Sequence, residues 1–425
     1  MARIGIATTG LTGIRNATGE LARRLRAAGH RVTTLAPRPG ADVRLPEIDL
    51  RPERAAAAGA TELLAAYRPE GFVRAVRDGG YDLLLLDVEL HEYILASHGH
   101  GFPFALLSQW YSHWRSPGLP YPLTEVSPGQ GWAGSRAGLW LTWERVRWQR
   151  RLMFARRARR TGGRDRRSLL LRLAREYAFP ERYLGDSFWP GAFAYRELPA
   201  LTMTPREMDF PHTLRPNLHY LGPMVNAGRE EARVANHRGV DAGAVLREAR
   251  AADQRIICGT VSTLSPTAAG FLRRLARAVA DRPDWCLLLG TGAALRPAEL
   301  GAVAPNVHLF TYLPQLRVLA VADLSINHGG IHTIHEALHF RVPMLVYSGK
   351  QSDQPGCAAR VAYHGVGARA DRDADGWADI RDRIAGVLED TTIRAATERM
   401  GQRLDRYRDE RIAERTVGSL LRALS

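Results

Sequence analysis

Asn327-His328-Gly329-Gly330-Ile331-His332-Thr333-Ile334-His335-Glu336-Ala337, followed after Val342-Pro343 by Ser352-Asp353-Gln354, decides how this chain is read. Ser325-Ile326-Asn327 ends an apolar run, and Ile331, Ile334, Ala337 and Leu338 then recur at helical spacing. A strand therefore runs into a helix, with Gly329-Gly330 at the junction. Free backbone N–H groups and the positive end of the helix dipole favour phosphate oxygens there. Glu336, one turn into the helix, is unsuited to phosphate, but its two oxygens can accept from vicinal ribose hydroxyls. A second strand is expected over 342–347. Behind it, Asp353 and Gln354 offer acceptors and donors suited to sugar hydroxyls.

Working outward, residues 255–258 read as a strand, 267–281 as a helix, 285–289 as a strand and the region 307–310 as another. That alternation is the pattern of a parallel α/β sheet. The first half repeats it: strand 3–8, helix 17–28, strand 31–35, helical periodicity over 61–77, then apolar strands 82–86 and 104–108. Gly29-His30 stops the first helix, as glycine does just past a C-terminus. Gly222-Pro223 closes this half. The division expected is 1–225, a polar linker 226–244, a second domain 245–405, and a terminal helix 406–425 crossing back to the first domain. The fold class is α/β, with two Rossmann-like domains.

A chain of 425 residues accommodates two such domains. Cys258, Cys286 and Cys357 lie on apolar strands or in the glycine-rich motif, which suits a reduced compartment without a disulfide framework. The opening residues read directly as a buried strand rather than a signal peptide. No apolar run approaches the ~18 residues of a membrane span. The expected location is cytoplasmic, with or without peripheral association at the inner face of a membrane. The net charge of +15 comes almost wholly from arginine, Lys350 being the only lysine. No recognition motif accompanies it, so nucleic acid is not an expected partner.

Residues 110–175 depart from the alternation. They carry Trp110, Trp114, Trp132, Trp140, Trp143 and Trp148, six of the nine tryptophans, and an arginine-dense helix expected over 145–175. Three roles fit: a packed underside with a solvated basic face, a greasy acceptor pocket with Trp110 and Trp114, or a peripheral membrane contact through 140–175. His335 and His339 bracket Glu336 in the His-Glu-x-x-His spacing of zinc proteases. The nucleotide motif already engages Glu336 and no third ligand is evident, so no metal or other cofactor is expected.

The motif resembles the donor-binding signature of the inverting UDP-glycosyltransferases. His328, Gly329, Gly330, Thr333, Glu336, Ala337, Pro343, Asp353 and Gln354 match that signature. Tyr312-Leu313-Pro314-Gln315 resembles the family's aromatic segment, whose ring stacks on uracil. Ile256-Ile257-Cys258-Gly259-Thr260 resembles the loop after the first strand of its donor domain. Gly10-Leu11-Thr12-Gly13, and Met208-Asp209-Phe210-Pro211 before Tyr220-Leu221-Gly222-Pro223, look most like the bacterial branch with carotenoid and macrolide glycosyltransferases. The resemblance implies the glycosyltransferase B architecture, two Rossmann-like domains facing across a cleft. It also implies a UDP-sugar as co-substrate, inversion, and a hydrophobic small-molecule or lipid acceptor. It assigns Tyr312 and Leu313 to the base, and Glu336 to the ribose with Gln315 beside it. Thr260, His328, Gly329, Gly330, His332 and Thr333 fall to the diphosphate, Asp353 and Gln354 to the hexose.

One element of the resemblance is missing. The family's base is a histidine in the first βα loop, within Gly-His-x-x-Pro. Alignment here puts Ile14 at that position and Ala17 at the proline, with Gly13 and Asn16 beside it at the acceptor. Isoleucine cannot take a proton. Asp87 and His91, after the strand ending at Leu86, and His113, after the strand ending at Ser108, are the alternative bases, since open α/β sheets place their sites at C-terminal strand ends. Two other readings remain: an inactive homologue or auxiliary subunit that only binds donor, and a nucleotide-sugar epimerase of the same fold.

Overall fold

The computed structural model describes residues 1–9, 12–35, 68–185, 194–231, 234–260, 269–292 and 295–424. They form two compact units. The first comprises 1–121, 128–226 and 406–425, and the second 122–127 and 227–405. Part of the helical periodicity over 61–77 and part of the loop after Thr260 lie outside the described residues.

The first unit is built on a parallel sheet. Its strands are β1 (Arg3–Ala7), β2 (Arg31–Leu35), β3 (Leu83–Asp87) and β4 (Phe104–Ser108), joined by β7 (Ala200–Thr202) and β8 (Leu218–Tyr220). Between β4 and β7 the chain makes a separate antiparallel ribbon, β5 (Leu184–Gly185) with β6 (Ala194–Tyr195). The sheet order is β2-β1-β3-β4-β7-β8. Leu83 to Leu86 are wholly buried, as expected where both faces of a parallel strand are covered. Ala17, Leu21 and Leu25 of the helix Thr12–Ala27 bury one face together with Ala413 and Val417 of the helix Ile412–Leu424. At Gly222, in the left-handed region at φ 80°, an added Cβ would strike the Tyr407 ring, so glycine is the residue that fits.

Two expectations for this unit change. The first helix begins at Thr12, not 17, so Gly13, Ile14 and Asn16 stand in its first turns instead of in a loop. Ala17 replaces the proline that would have stopped it from reaching back. The basic helix over 145–175 is two helices, Arg136–Arg160 and Arg166–Glu176. Gly162 and Gly163, both at positive φ, end the first, and Asp165 caps the second by accepting from Ser168 N–H.

The second unit contains β9 (Arg255–Thr260), β10 (Trp285–Gly290), β11 (Val307–Phe310), β12 (Leu324–Asn327), β13 (Met344–Tyr347) and β14 (Gly367–Ala370). All pairings are parallel, in the order β11-β10-β9-β12-β13-β14. This is the doubly wound order in which strand sequence reverses between the first and fourth strands, here β9 and β12. The helix Ala242–Ala251, capped by Asp241, starts inside the stretch read as linker.

Candidate functional site

Reversal of strand order opens a crevice at the carboxyl ends of β9 and β12. Thr260 ends β9, and His328 follows β12, the two strands being paired through Ile326 and Gly259. The glycine-rich turn sits there. Gly329 takes φ 84°, and an added Cβ would lie 2.9 Å from the Gln354 carbonyl oxygen. Asn327 holds the turn by accepting from Gly329 N–H at 2.9 Å. The His328 ring lies against Gly330, its Nε2 2.6 Å from where a Cβ would be. Gly330 is the N-cap of the helix Ile331–His339 and brings no capping side chain, while the Ile331 amide at the helix start donates to Asp353.

Around this turn stand buried polar atoms with no partner among the described residues: Thr260 Oγ1, His328 Nδ1, His332 Nε2 and Gln354 Oε1. An unpaired buried polar group costs about 1–3 kcal/mol, and hydroxyl, imidazole and amide groups of this kind bond readily to phosphate oxygens and sugar hydroxyls. Burial pushes His328 and His332 down to about 4, with the Arg229 charge adding to the shift at His332. Both rings are neutral at pH 7, each with one N–H to donate. Asp353 is pushed up to about 6 by burial, against hydrogen bonds that include Cys357 Sγ and the Ile331 amide. Thr333 and Gln354 lie on the two helices that open here, and Leu313 precedes the short helix Gln315–Leu319. The Tyr312 ring is 56% exposed, an aromatic face open to solvent.

Glu336 is 8% exposed and is held from two sides, with Arg229 donating to Oε1 and Gln315 Nε2 donating to Oε2 at 2.6 Å. Each oxygen keeps a second lone pair. Glu231 accepts from the Leu316 and Arg317 amides, fixing the start of the helix that carries Gln315. Arg229 and Glu231 lie in the stretch read as linker. Nothing in its composition marks them, because their role arises only from where the chain passes. His335 is buried and packs edge-on to His332, and among the described residues no three His, Cys, Asp or Glu gather as a metal set.

In the first unit the order reverses between β1 and β3. Thr9 and Asp87 meet there, the Thr9 hydroxyl donating to Asp87 Oδ2 at 3.3 Å. Asp87 also accepts from Glu89 N–H, is 2% exposed, and is pushed up to about 6 by burial. His91 is fully buried, with Nδ1 2.7 Å from Tyr195 Oη, and desolvation holds it well below the ordinary imidazole range. It is a core residue, one hydrogen bond behind Tyr195, which lines the cavity described next. His113 and Trp110 line an open cavity with Trp114, Arg215 and Tyr220. Donation from His113 Nδ1 to the Tyr111 carbonyl at 3.2 Å leaves Nε2 as an acceptor, and burial pushes the ring down to about 4. Ile14 is 4% exposed, while Gly13 and Asn16 are half-buried. Trp114 and Trp143 are buried, and Trp132, Trp140 and Trp148 are exposed, so the tryptophan-rich segment divides between packing and surface.

Residues 289–414 match the family described as Erythromycin biosynthesis protein CIII-like, C-terminal domain. A zeaxanthin glucosyltransferase of Pseudescherichia vulneris is 29% identical over 244 residues, 54% of this chain and 51% of that protein. The chain thus spans about half the length of this curated relative. The solved glycotransferase of kitacinnamycin superposes with a TM-score of 0.71 at 20% identity, covering 100% of this chain and 99% of its own. Glycosyltransferase VinC, solved in complex with DTDP, gives 0.62 at 18% identity, with 99% of each chain covered. The chain therefore has the two-domain glycosyltransferase B fold, and its residues 289–414 match the erythromycin biosynthesis protein CIII-like C-terminal domain family.

Proposed function

We propose that this chain is an inverting glycosyltransferase that moves a hexose from a UDP-sugar to a hydrophobic small-molecule or lipid acceptor. The observation that carries the reading is the set of unpartnered buried atoms on Thr260, His328, His332 and Gln354 around the Gly329-Gly330 turn. They supply hydroxyl, imidazole and amide contacts beside a helix N-terminus, where diphosphate charge is offset by protein groups rather than by a metal. Glu336 takes the ribose, Tyr312 stacks on the base with Leu313 reading its edge, and Asp353 and Gln354 take the hexose. His113 Nε2 is the group best placed to accept the acceptor proton, since it opens on a cavity while His91 is sealed in the core. The VinC complex with DTDP makes a thymidine diphosphate sugar the competing donor.

The exposed Trp140 and Trp148, interleaved with arginines of the helix Arg136–Arg160, and the exposed Trp132 just before it support contact with an anionic membrane surface. Among the described residues no helix is long and apolar enough to cross a membrane.

The test is release of nucleoside diphosphate from UDP-glucose and from dTDP-glucose, each with and without an aglycone and lipid extract. Extract-dependent release supports transfer and identifies the donor. Release without extract points to hydrolysis or to an epimerase. Binding of both donors without release supports the binding-only reading, which the isoleucine at position 14 favours.

A further inference from the structure

Of the charged groups that line the first unit's cavity, Arg215 is set apart. Its guanidinium lies 4.3 Å from the centroid of the Trp114 ring. The side chain is half-buried, and no carboxylate among the described residues pairs with it. Two carboxylates beside the cavity are engaged elsewhere. Asp209 accepts from the Ser112 and Phe210 amides and from Tyr220 Oη, and Glu89, which also lines the cavity, has an interaction of its own. Burial and the like charge of Arg196 both disfavour the Arg215 cation. The remaining wall is largely apolar, with Leu106, Trp110 and Leu218 beside Trp114. A cation that lines a largely apolar cavity, with no counter-ion among the described residues, is half of a recognition pair.

We propose that this cavity binds the carboxylate of an otherwise apolar acid, with Arg215 as the counter-ion and the tryptophans covering the apolar body. The proposal rests on reading the first unit as the acceptor domain, and it makes the acceptor an aromatic or aliphatic carboxylic acid. The planar fork of Arg215 offers two parallel N–H donors to the two carboxylate oxygens, and stacking on Trp114 holds that fork in place. The neutral amide of the same acid fits the same apolar walls without meeting the charge.

Titration calorimetry on the full chain tests this with benzoate, 2-naphthoate and decanoate, each against its primary amide. At least one acid is expected to bind about tenfold more tightly than its amide, a preference that weakens at high salt. In Arg215→Gln the preference disappears, and in Arg215→Lys it survives in part. Circular dichroism and melting temperature establish that both variants fold; should Arg215→Gln not fold, Arg215→Lys and the salt dependence decide. No acid-over-amide preference in the wild type, or one that persists in Arg215→Gln, overturns the proposal. An acid preference lost in Arg215→Gln, with no sugar turnover on any acceptor, keeps the cavity assignment and removes the transferase reading. Turnover of neutral alcohols with no acid preference does the reverse.

Discussion

Arg229 and Glu336, 107 residues apart in sequence, form an ion pair with Nη1 2.5 Å from Oε1 and side chains 19% and 10% exposed. Burial pushes the Glu336 carboxyl up and the Arg229 charge opposes that shift. The pair therefore keeps an anion available in a position where desolvation alone would favour the neutral acid.

Glu336→Ala is expected to raise the dissociation constant for nucleoside diphosphate about tenfold or more, through loss of charge-assisted hydrogen bonds to ribose. Titration calorimetry with UDP and with dTDP checks this, and unchanged affinity for both removes the ribose assignment. Arg229→Met leaves Glu336 buried without its counter-charge and lowers the stability of the second unit by about 3 kcal/mol. The Arg229→Met, Glu336→Gln double variant loses less than Arg229→Met alone, because no uncompensated charge stays buried. Thermal melting of all three variants reads both effects.

The motif's local geometry is legible in sequence because each feature is short-range. Gly329-Gly330 between an apolar run and a helical repeat specifies a strand-to-helix turn, and Pro343 with the apolar residues after it marks β13. The strand order is not written so directly, but alternation of strand and helix narrows it to a few doubly wound orders. Arg229 and Glu231 are illegible, since a polar stretch looks the same whether solvated or folded onto a distant helix. The place of Arg215 on the Trp114 ring is hidden for the same reason, one arginine among many until its neighbours are known. Ile14 shows an error of another kind. Alignment to a loop motif implied loop structure, while Ala17 lets the helix run back through it.

Gly329→Ala is expected to fail on two counts. Its φ of 84° is a left-handed conformation that costs an alanine about 1 kcal/mol, and the new Cβ would lie 2.9 Å from the Gln354 carbonyl oxygen. The turn must move, and the amides at the helix start move with it. Diphosphate affinity falls more than tenfold while the first unit's melting is unchanged. A variant with wild-type nucleotide affinity counts against this turn as the diphosphate site.

Asp87 gives a pH signature. Its folded carboxyl titrates at about 6, above the ordinary 3.8 from which burial shifts it. Native protein therefore holds the proton more tightly than unfolded chain between those values, so the stabilisation present below pH 4 is lost as pH rises through 6. The loss amounts to about 3 kcal/mol. Asp87→Asn, which keeps the neutral shape, is expected to remove this component. Denaturant midpoints of the first unit at pH 4 and pH 8 then differ less in the variant than in the wild type. Equal differences in the two proteins refute the account.

The base is best separated by comparing His113 with Ile14. Ile14→His places an imidazole where the side chain is 4% exposed inside a helix, so it is expected to destabilise the first unit by about 1–3 kcal/mol without raising turnover. A rise in turnover on phenolic acceptors would instead show that the position reaches the acceptor. His113→Gln removes an imidazole nitrogen that opens on the cavity, and kcat is expected to fall roughly a hundredfold, with KM for the sugar donor little changed. The pH profile of kcat/KM then distinguishes the remaining candidates. With His113 as the base, titrating at about 4, the rate is flat from pH 5 to 8, because the ring is already unprotonated across that range. With Asp87 as the base, the rate climbs through about 6 as its carboxyl ionises. A limb near 6 that is unchanged in His113→Gln and lost in Asp87→Asn moves the role to Asp87.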